Sequence, residues 1–191
     1  FDDKLNDEEV AIQVERVYNG EAYESYDDDW KNMIVFGDNL QFLKTIYENK
    51  DPVIKDKVKN KVKLIYIDPP FATEDEFRST LGAKAYNDKR KGAEFLEFLR
   101  RRLILAREIL ANDGSVFVHM DQEMGHYVKV IMDEVFGKNN FRNEIIWHYD
   151  IGTAPKNDFK RKHDNIFRYT KSSSYFYEPI IIPPKNIDRY N

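Results

Sequence analysis

One stretch limits the possible folds of this chain more than any other. Val62-Lys63-Leu64-Ile65-Tyr66-Ile67 runs directly into Asp68-Pro69-Pro70. Six residues rich in β-branched and aromatic side chains read as a strand. Two successive prolines lack the N–H groups that a ladder needs, so the strand has to stop at Asp68. A strand halted this abruptly belongs at the mouth of a sheet, and its neighbours in sequence fit that setting. Met33-Ile34-Val35-Phe36 is a second short apolar run, ended by Gly37-Asp38, and is expected to be a buried strand. Leu40, Phe42, Leu43, Ile46 and Tyr47 follow it at helical spacing, and the Lys-rich stretch from Asp51 to Lys61 reads as a surface connection.

After the prolines comes a long polar loop, from Ala72 to about Gly92, that contains Tyr86; loops of this length are usually functional. Phe95, Leu96, Leu99, Leu103 and Leu110 then put an apolar face on a helix. Arg100-Arg101-Arg102 interrupts that face and reads as a solvated side, and Asn112-Asp113-Gly114 is expected to cap the helix end. Ser115–Met120 reads as a strand, and Val128, Ile131, Met132, Val135 and Phe136 stripe a helix that Gly137 closes. Glu144–Tyr149 and Asn165–Thr170 alternate as strands, and Ser174–Tyr177 is expected to be a third. Strands alternating with helices predict an α/β domain with a mainly parallel sheet. The last strands, joined without a helix, predict an antiparallel edge. Ligands bind beyond the carboxyl ends of such strands, where both Asp38 and Asp68 sit.

Composition narrows the function classes. The 191 residues, 41% hydrophobic and 34% charged, suit one soluble globular domain. No apolar run approaches a membrane span, and no signal-peptide pattern opens the chain. With no cysteine, disulfides and thiolate metal sites are excluded, which fits a reducing cytosol. The first residue, Phe1, suggests a start inside a longer protein. The net charge of −4 is unevenly spread. Residues 1–31 carry eleven acidic and three basic side chains, a net of −8, so the remainder carries +4. Much of that lies in Pro155–Lys171, where Lys156, Lys160, Arg161, Lys162, Arg168 and Lys171 face only Asp158 and Asp164. Such a basic segment is either a phosphate-contacting surface or a solvated loop.

The chemistry concentrates in Asp68-Pro69-Pro70-Phe71. The prolines make the loop rigid, its carbonyls have no ladder partners, and the Asp68 carboxylate is a further acceptor. Phe71 offers a flat face. Two acceptors and a stacking platform suit an exocyclic amino group on a planar base; a proline-stopped strand that caps the next segment is the plainer alternative. His119 and His126 are seven residues apart across a strand–helix turn, a spacing without a common metal signature, so no metal site is expected. His119 is expected to be a strand residue near the site.

Gly37-Asp38-Asn39-Leu40, a helix, and then Leu64-Ile65-Tyr66-Ile67-Asp68-Pro69-Pro70-Phe71 together resemble the permuted (beta-class) DNA amino-methyltransferases, particularly the modification subunits of type III restriction–modification systems. The resemblance continues through Asp113–Asp121, Ile131–Gly137 and Asn143–Trp147 to Lys162–Lys171, in family order. It implies a Rossmann-like methyltransferase fold, S-adenosylmethionine as methyl donor, and adenine N6 of a base flipped from double-stranded DNA as acceptor. Asp68 and the Pro69 carbonyl would hold the amino group, Pro70 would stiffen the loop, and Phe71 would stack on the base. Asp38 and Asn39 would lie at the cofactor adenine, a role compatible with Asp38 capping a helix. His163, in the last block, would lie near base or DNA backbone, with a plain structural role as the alternative. The implied partners are DNA and a restriction subunit or second methyltransferase subunit, in the cytoplasm of a bacterium.

The family's glycine-rich Phe-x-Gly-x-Gly loop for the methionine end of the cofactor is not in this sequence. An incomplete fold is therefore expected, with an acidic N-terminal leader at 1–31, a partial catalytic domain at 32–178, and the start of a target-recognition region or tail at 179–191. The acid at position 68 favours adenine over cytosine N4. A non-catalytic DNA-binding or assembly module of the same fold is the other class of reading, and RNA or a protein glutamine amide are further possible acceptors.

Overall fold

The computed structural model describes residues 10–14, 32–69, 88–150 and 155–181. In chain order the elements are α1 (Asn39–Glu48), β1 (Val62–Ile67), α2 (Asp88–Ile109), β2 (Leu110–Asp121), α3 (Gly125–Phe136), β3 (Phe141–His148) and β4 (His163–Thr170). Helix α1 begins where the sequence requires, because the Asp38 carboxylate accepts the Leu40 backbone N–H at 2.8 Å. That bond satisfies one of the donors left open at any helix start. Helix α3 stops at Gly137, whose φ of +89° is a conformation that side chains disfavour.

The sheet runs in the order β1-β2-β4-β3. β1 and β2 are parallel, with α2 as the crossover between them, while β4 pairs antiparallel with both β2 and β3. The α/β class and the antiparallel edge thus follow the alternation in the sequence. Among the described residues, parallel pairing is confined to β1 and β2.

Directly paired residues share a face of the sheet. Val116, Val118 and Met120 of β2 therefore point the same way as Ile65 and Ile67 of β1 and Phe167 and Tyr169 of β4. This face lies under α2 and α3, which supply Phe95, Leu99, Leu103, Val128, Met132 and Phe136 to one core. Each such side chain, fully buried, contributes on the order of 1.5–3 kcal/mol. Leu64, Tyr66, Phe117, His119, Asp121, Asp164 and Arg168 occupy the opposite face. A smaller cluster of Ile46, Ile54 and Ile109 ties α1 and the 51–61 connection to the end of α2.

Three local expectations are corrected. Met33–Phe36 is not a strand: it pairs with no described strand, and Ile34 and Phe36 are fully exposed. An extended segment is not stable as a strand without a neighbour's backbone groups. Helix α2 ends at Ile109, before Asn112-Asp113-Gly114, which lie in an irregular stretch of β2. There Leu110 pairs with Val62 and Ser115 with Leu64, so the intervening residues of β2 bulge out. Gly114 is needed for close approach instead of capping, since a Cβ would stand 2.8 Å from the Val62 carbonyl oxygen. Ser174–Tyr177 forms no strand; its rings are used elsewhere. Residues 10–14 dock on the fold: the Val10 carbonyl accepts from Thr45 at 2.8 Å and the Ile12 N–H donates to Asp51 at 2.8 Å. Residues 7–9 lie outside the described residues.

One polar cluster closes the core. The buried Tyr169 hydroxyl donates to Asp133 at 2.6 Å, and Lys129 reaches the same carboxylate at 2.8 Å. Burial, and then Asp133, push the ionisation of Tyr169 well above its ordinary range. For Asp133, burial opposes the charge, but Lys129 and Tyr169 outweigh it and hold the carboxyl below its ordinary value. A carboxyl depressed in the folded state stabilises the fold fully above its unfolded pKa of about 4, and the contribution is lost as pH falls through the folded value.

Three outcomes are expected in equilibrium denaturant unfolding. Gly114→Ala lowers stability by about 1–3 kcal/mol through overpacking, whereas Gly92→Ala, with open space at the Cβ position within α2, raises it by about 0.5–1 kcal/mol. Asp133→Asn lowers stability at pH 7, and its deficit against the native protein shrinks as the pH is taken from about 5 down to about 3.

Candidate active site

Alternation along β1 sets the position of Asp68. Leu64 and Tyr66 lie on the face away from the helices, and Asp68, two residues on, follows them past the carboxyl end of the strand. Pro69 is buried and anchors the loop from behind, while the Asp68 side chain is 61% exposed. Pro70, Phe71 and Tyr86 lie outside the described residues.

His119 comes to Asp68 from β2, on the same face. Its Nδ1 is 3.4 Å from Asp68 Oδ1, and its Nε2 is 3.3 Å from Asp164 Oδ2 on β4. The Tyr149 hydroxyl reaches the other Asp164 oxygen at 3.4 Å. One imidazole thus stands between two carboxylates, and is only 18% exposed. The carboxylates mark the surrounding field. Burial and then Asp68 raise the ionisation of Tyr66, and burial, Asp164 and Asp121 raise that of Tyr149.

Asp38 and Asn39 form a second cluster, organised by Arg102 of α2. Arg102 donates through Nη2 to Asp38 at 2.9 Å, through Nε to Asn39 Oδ1 at 2.6 Å, and through Nη1 to the Phe98 carbonyl at 3.0 Å. Its guanidinium also stacks on the Phe98 ring, 3.4 Å from the centroid. Arg102 is therefore not on a solvated helix face; it is buried between α1 and α2. Burial lowers its pKa, and Asp38 opposes that shift. Two donors of the fixed fork hold the Asp38 and Asn39 side chains in one arrangement, and the third ties the guanidinium to its own helix. Asp38 remains half exposed beside them, an oriented acceptor for a ligand hydroxyl or amino group.

The basic segment divides in two. Lys156, Lys160 and Arg161 are exposed and Lys162 is half-buried, with Lys160 paired to Asp150 at 2.9 Å. Arg168 and Lys171 turn inward instead. Lys171 donates to the Leu110 carbonyl at 2.6 Å, and Arg168 lies among the Phe117, Tyr175 and Tyr177 rings. Arg168 edges a cavity of about 630 Å³ that also involves Leu64, Ser115, Phe117 and Tyr177. That cavity is at the amino end of β2, away from Asp68. His163 pairs in register with His148 across β3 and β4, and His126 is on α3.

Asp164, Tyr149 and Arg102 escaped the sequence reading as partners of the site. The alternation Tyr66/Asp68 and Phe117/His119/Asp121 was a usable signal for a shared face, but placing Asp164 there needs the β2–β4 register.

An α/β sheet with a parallel β1–α2–β2 unit and acids past the ends of its elements is a Rossmann-like arrangement. The fold agrees with the solved PvuII cytosine-N4-specific DNA methyltransferase, which superposes with a TM-score of 0.51 at 16% identity over 73% of this chain and 49% of that one. The N6_N4_Mtase family, DNA methylase, matches residues 62–190, and the chain belongs to that family. The type II methyltransferase M.EcaI of Enterobacter cloacae is 42% identical over 118 residues, covering 61% of this chain and 26% of the relative. The type III restriction-modification enzyme EcoP15I Mod subunit of Escherichia coli is 28% identical over 173 residues, covering 74% and 24%. The chain therefore spans about a quarter of the length of these relatives. Among the described residues, no helix is long and apolar enough to cross a membrane.

Arg102→Ala removes three hydrogen bonds from a buried position. It is expected to cost about 2 kcal/mol in denaturant unfolding, and Arg102→Lys, which lacks the fork, is expected to recover less than half of that loss.

Proposed function

We propose that this chain is the catalytic half of a DNA methyltransferase that moves a methyl group from S-adenosylmethionine to adenine N6 of a flipped base. The observation that carries the reading is the Asp68-Pro69 pair. An exposed carboxylate and a proline-stiffened backbone stand together past the carboxyl end of β1. Membership in the DNA methylase family and the likeness to a type II methyltransferase and a type III Mod subunit support it.

The acceptor is an aromatic amine, a poor nucleophile because its lone pair is delocalised into the ring. Asp68 and the Pro69 carbonyl accept its two hydrogens, which favours a tetrahedral nitrogen with the lone pair free to attack. The gain is complementarity to the transition state plus alignment, with no covalent enzyme intermediate. Pro70 holds the loop rigid and Phe71 stacks on the base. S-adenosylmethionine supplies an electrophilic methyl group on a sulfonium. The half-exposed Asp38 carboxylate, fixed by Arg102 and the Leu40 N–H, fits the hydrogen-bonding edge of the cofactor's nucleoside, with Asn39 beside it. No Phe-x-Gly-x-Gly loop in this sequence serves the methionine end. Residues 32–178 form the catalytic part in this reading, 1–31 precede it, and 179–191 lead toward target recognition. Duplex DNA is the substrate, with the exposed Lys156, Lys160 and Arg161 as phosphate contacts. A restriction subunit is a partner suggested by the Mod relative, and a bacterial cytoplasm is the setting.

The test uses the protein expressed from its complete gene, duplex DNA and labelled S-adenosylmethionine, with the products digested to nucleosides. N6-methyladenine is expected, and Asp68→Ala is expected to lose at least about 10²-fold in rate, as when one oriented hydrogen-bonding group is removed from a transition state. N4-methylcytosine would overturn the base assignment. Retained methylation in Asp68→Ala would overturn the role of Asp68, and no labelled nucleoside at all would favour a non-catalytic module.

A further inference from the structure

Asp68 poses a positioning problem. It sits past the end of β1 with its side chain 61% exposed, where an aspartate ordinarily samples several rotamers. Acceptors for a reacting amine must be held within about 0.5 Å, and an error of about 1 Å costs on the order of 10²-fold in rate. The neighbour that restricts Asp68 is His119. Its imidazole is itself restricted, by β2 on one side and by Asp164 at 3.3 Å on the other. Asp164 is 15% exposed and held in turn by the Tyr149 hydroxyl. The result is a chain of contacts across three strands, Asp68–His119–Asp164–Tyr149, in which the two middle members are largely buried and Asp68 is open to solvent.

Proton counting gives this chain a second property. A neutral imidazole carries one N–H, so it can donate to only one of its two carboxylates. Its other ring nitrogen then turns a lone pair toward a carboxylate oxygen. One added proton converts both contacts into charge-assisted hydrogen bonds. Methylation releases one proton. The N6–CH3 bond forms as the sulfonium S–CH3 bond breaks, and the electron pair of that bond stays on sulfur. The methylated nitrogen then carries a positive charge and sheds one N–H proton, keeping the electron pair.

We propose that His119 is a positioning residue for Asp68 that also takes up, through Asp68, the proton released when the amine is methylated, holding it between Asp68 and Asp164 until it leaves to solvent. The inference rests on the reading of Asp68 as the amine acceptor. The proton passes from nitrogen to Asp68 and on to Nδ1. Among the described residues, Tyr66 on β1, Asp121 on β2 and Tyr149 after β3 are further ionisable groups near this chain.

The experiment measures single-turnover methyl transfer against pH, with KM for DNA and cofactor and the unfolding midpoint measured beside it, for His119→Ala, His119→Asn, Asp164→Asn and Asp68→Ala in the protein expressed from its complete gene. His119→Ala is expected to lose about 10–100-fold in rate, the usual cost of removing a partner that orients a reacting group, with KM for both substrates within about twofold of native. His119→Asn keeps an amide donor near the Nδ1 position and is expected to recover part of the rate. It cannot take up the proton, so the acid-side fall in rate should move down into the carboxylate range near pH 4. Asp164→Asn is expected to shift the acid limb as well, with Asp68 still present. A native rate in His119→Ala, or a loss with an unchanged pH profile in both His119→Asn and Asp164→Asn, overturns the proposal. So does a loss that tracks the unfolding midpoint across the variants. If Asp68→Ala stays active, the reading of Asp68 fails first; if it is inactive while His119→Ala is native-like, only the role of His119 fails.

Discussion

Strand β2 has a parallel neighbour on one side and an antiparallel one on the other, and this pairing governs the rest of the molecule. It fixes which side chains of three strands share a face. Val116, Val118 and Met120 are committed to the core under α2 and α3, so Phe117, His119 and Asp121 must face away from the helices. Because the side-chain period of a strand is two residues, a slip of one register position would invert both sets. It would bury His119 and Asp121 in an apolar layer, at a cost of several kcal/mol for each charge left unpaired. The apolar face thus enforces the polar one, and the chemistry of the sheet end depends on packing on its far side.

Two acids at chain turns are handled by different means. Asp38 meets Arg102, a cation that keeps its charge at any working pH, in a buried fork that also takes in Asn39. Asp68 meets His119, whose charge can change and whose second nitrogen is already engaged by Asp164. A permanent partner suits a group that has only to hold a shape. The buried Arg102 has a structural consequence as well, since it locks α2 against the start of α1.

Much of the fold was legible in the chain. The position of β1 followed from Asp68-Pro69-Pro70, the limits of α1 and α3 from Asp38 and Gly137, and the antiparallel β3–β4 edge from two alternating runs without an intervening helix. The failures share a cause. Met33–Phe36 has the composition of a strand, but a strand exists only with a partner. Gly114 has the look of a helix cap, but its need for a bare Cα comes from the Val62 carbonyl of another strand. Arg102 looks like one of three solvated arginines, yet only the packing of α1 on α2 selects it for burial.

The same division applies to function. Local chemistry, carried in consecutive residues, determined that an acid and two prolines end a strand and that a capped helix starts at Asp38. Those facts depend on φ restrictions, missing N–H groups and side-chain-to-backbone bonds within a few residues, so sequence alone expresses them. The tertiary structure decided that His119 stands between Asp68 and Asp164, which are 96 positions apart in the numbering, and that Lys171 and Arg168 serve the fold while Lys156, Lys160 and Arg161 stay at the surface. Contacts of that kind depend on register between strands distant in the chain, which no local pattern encodes.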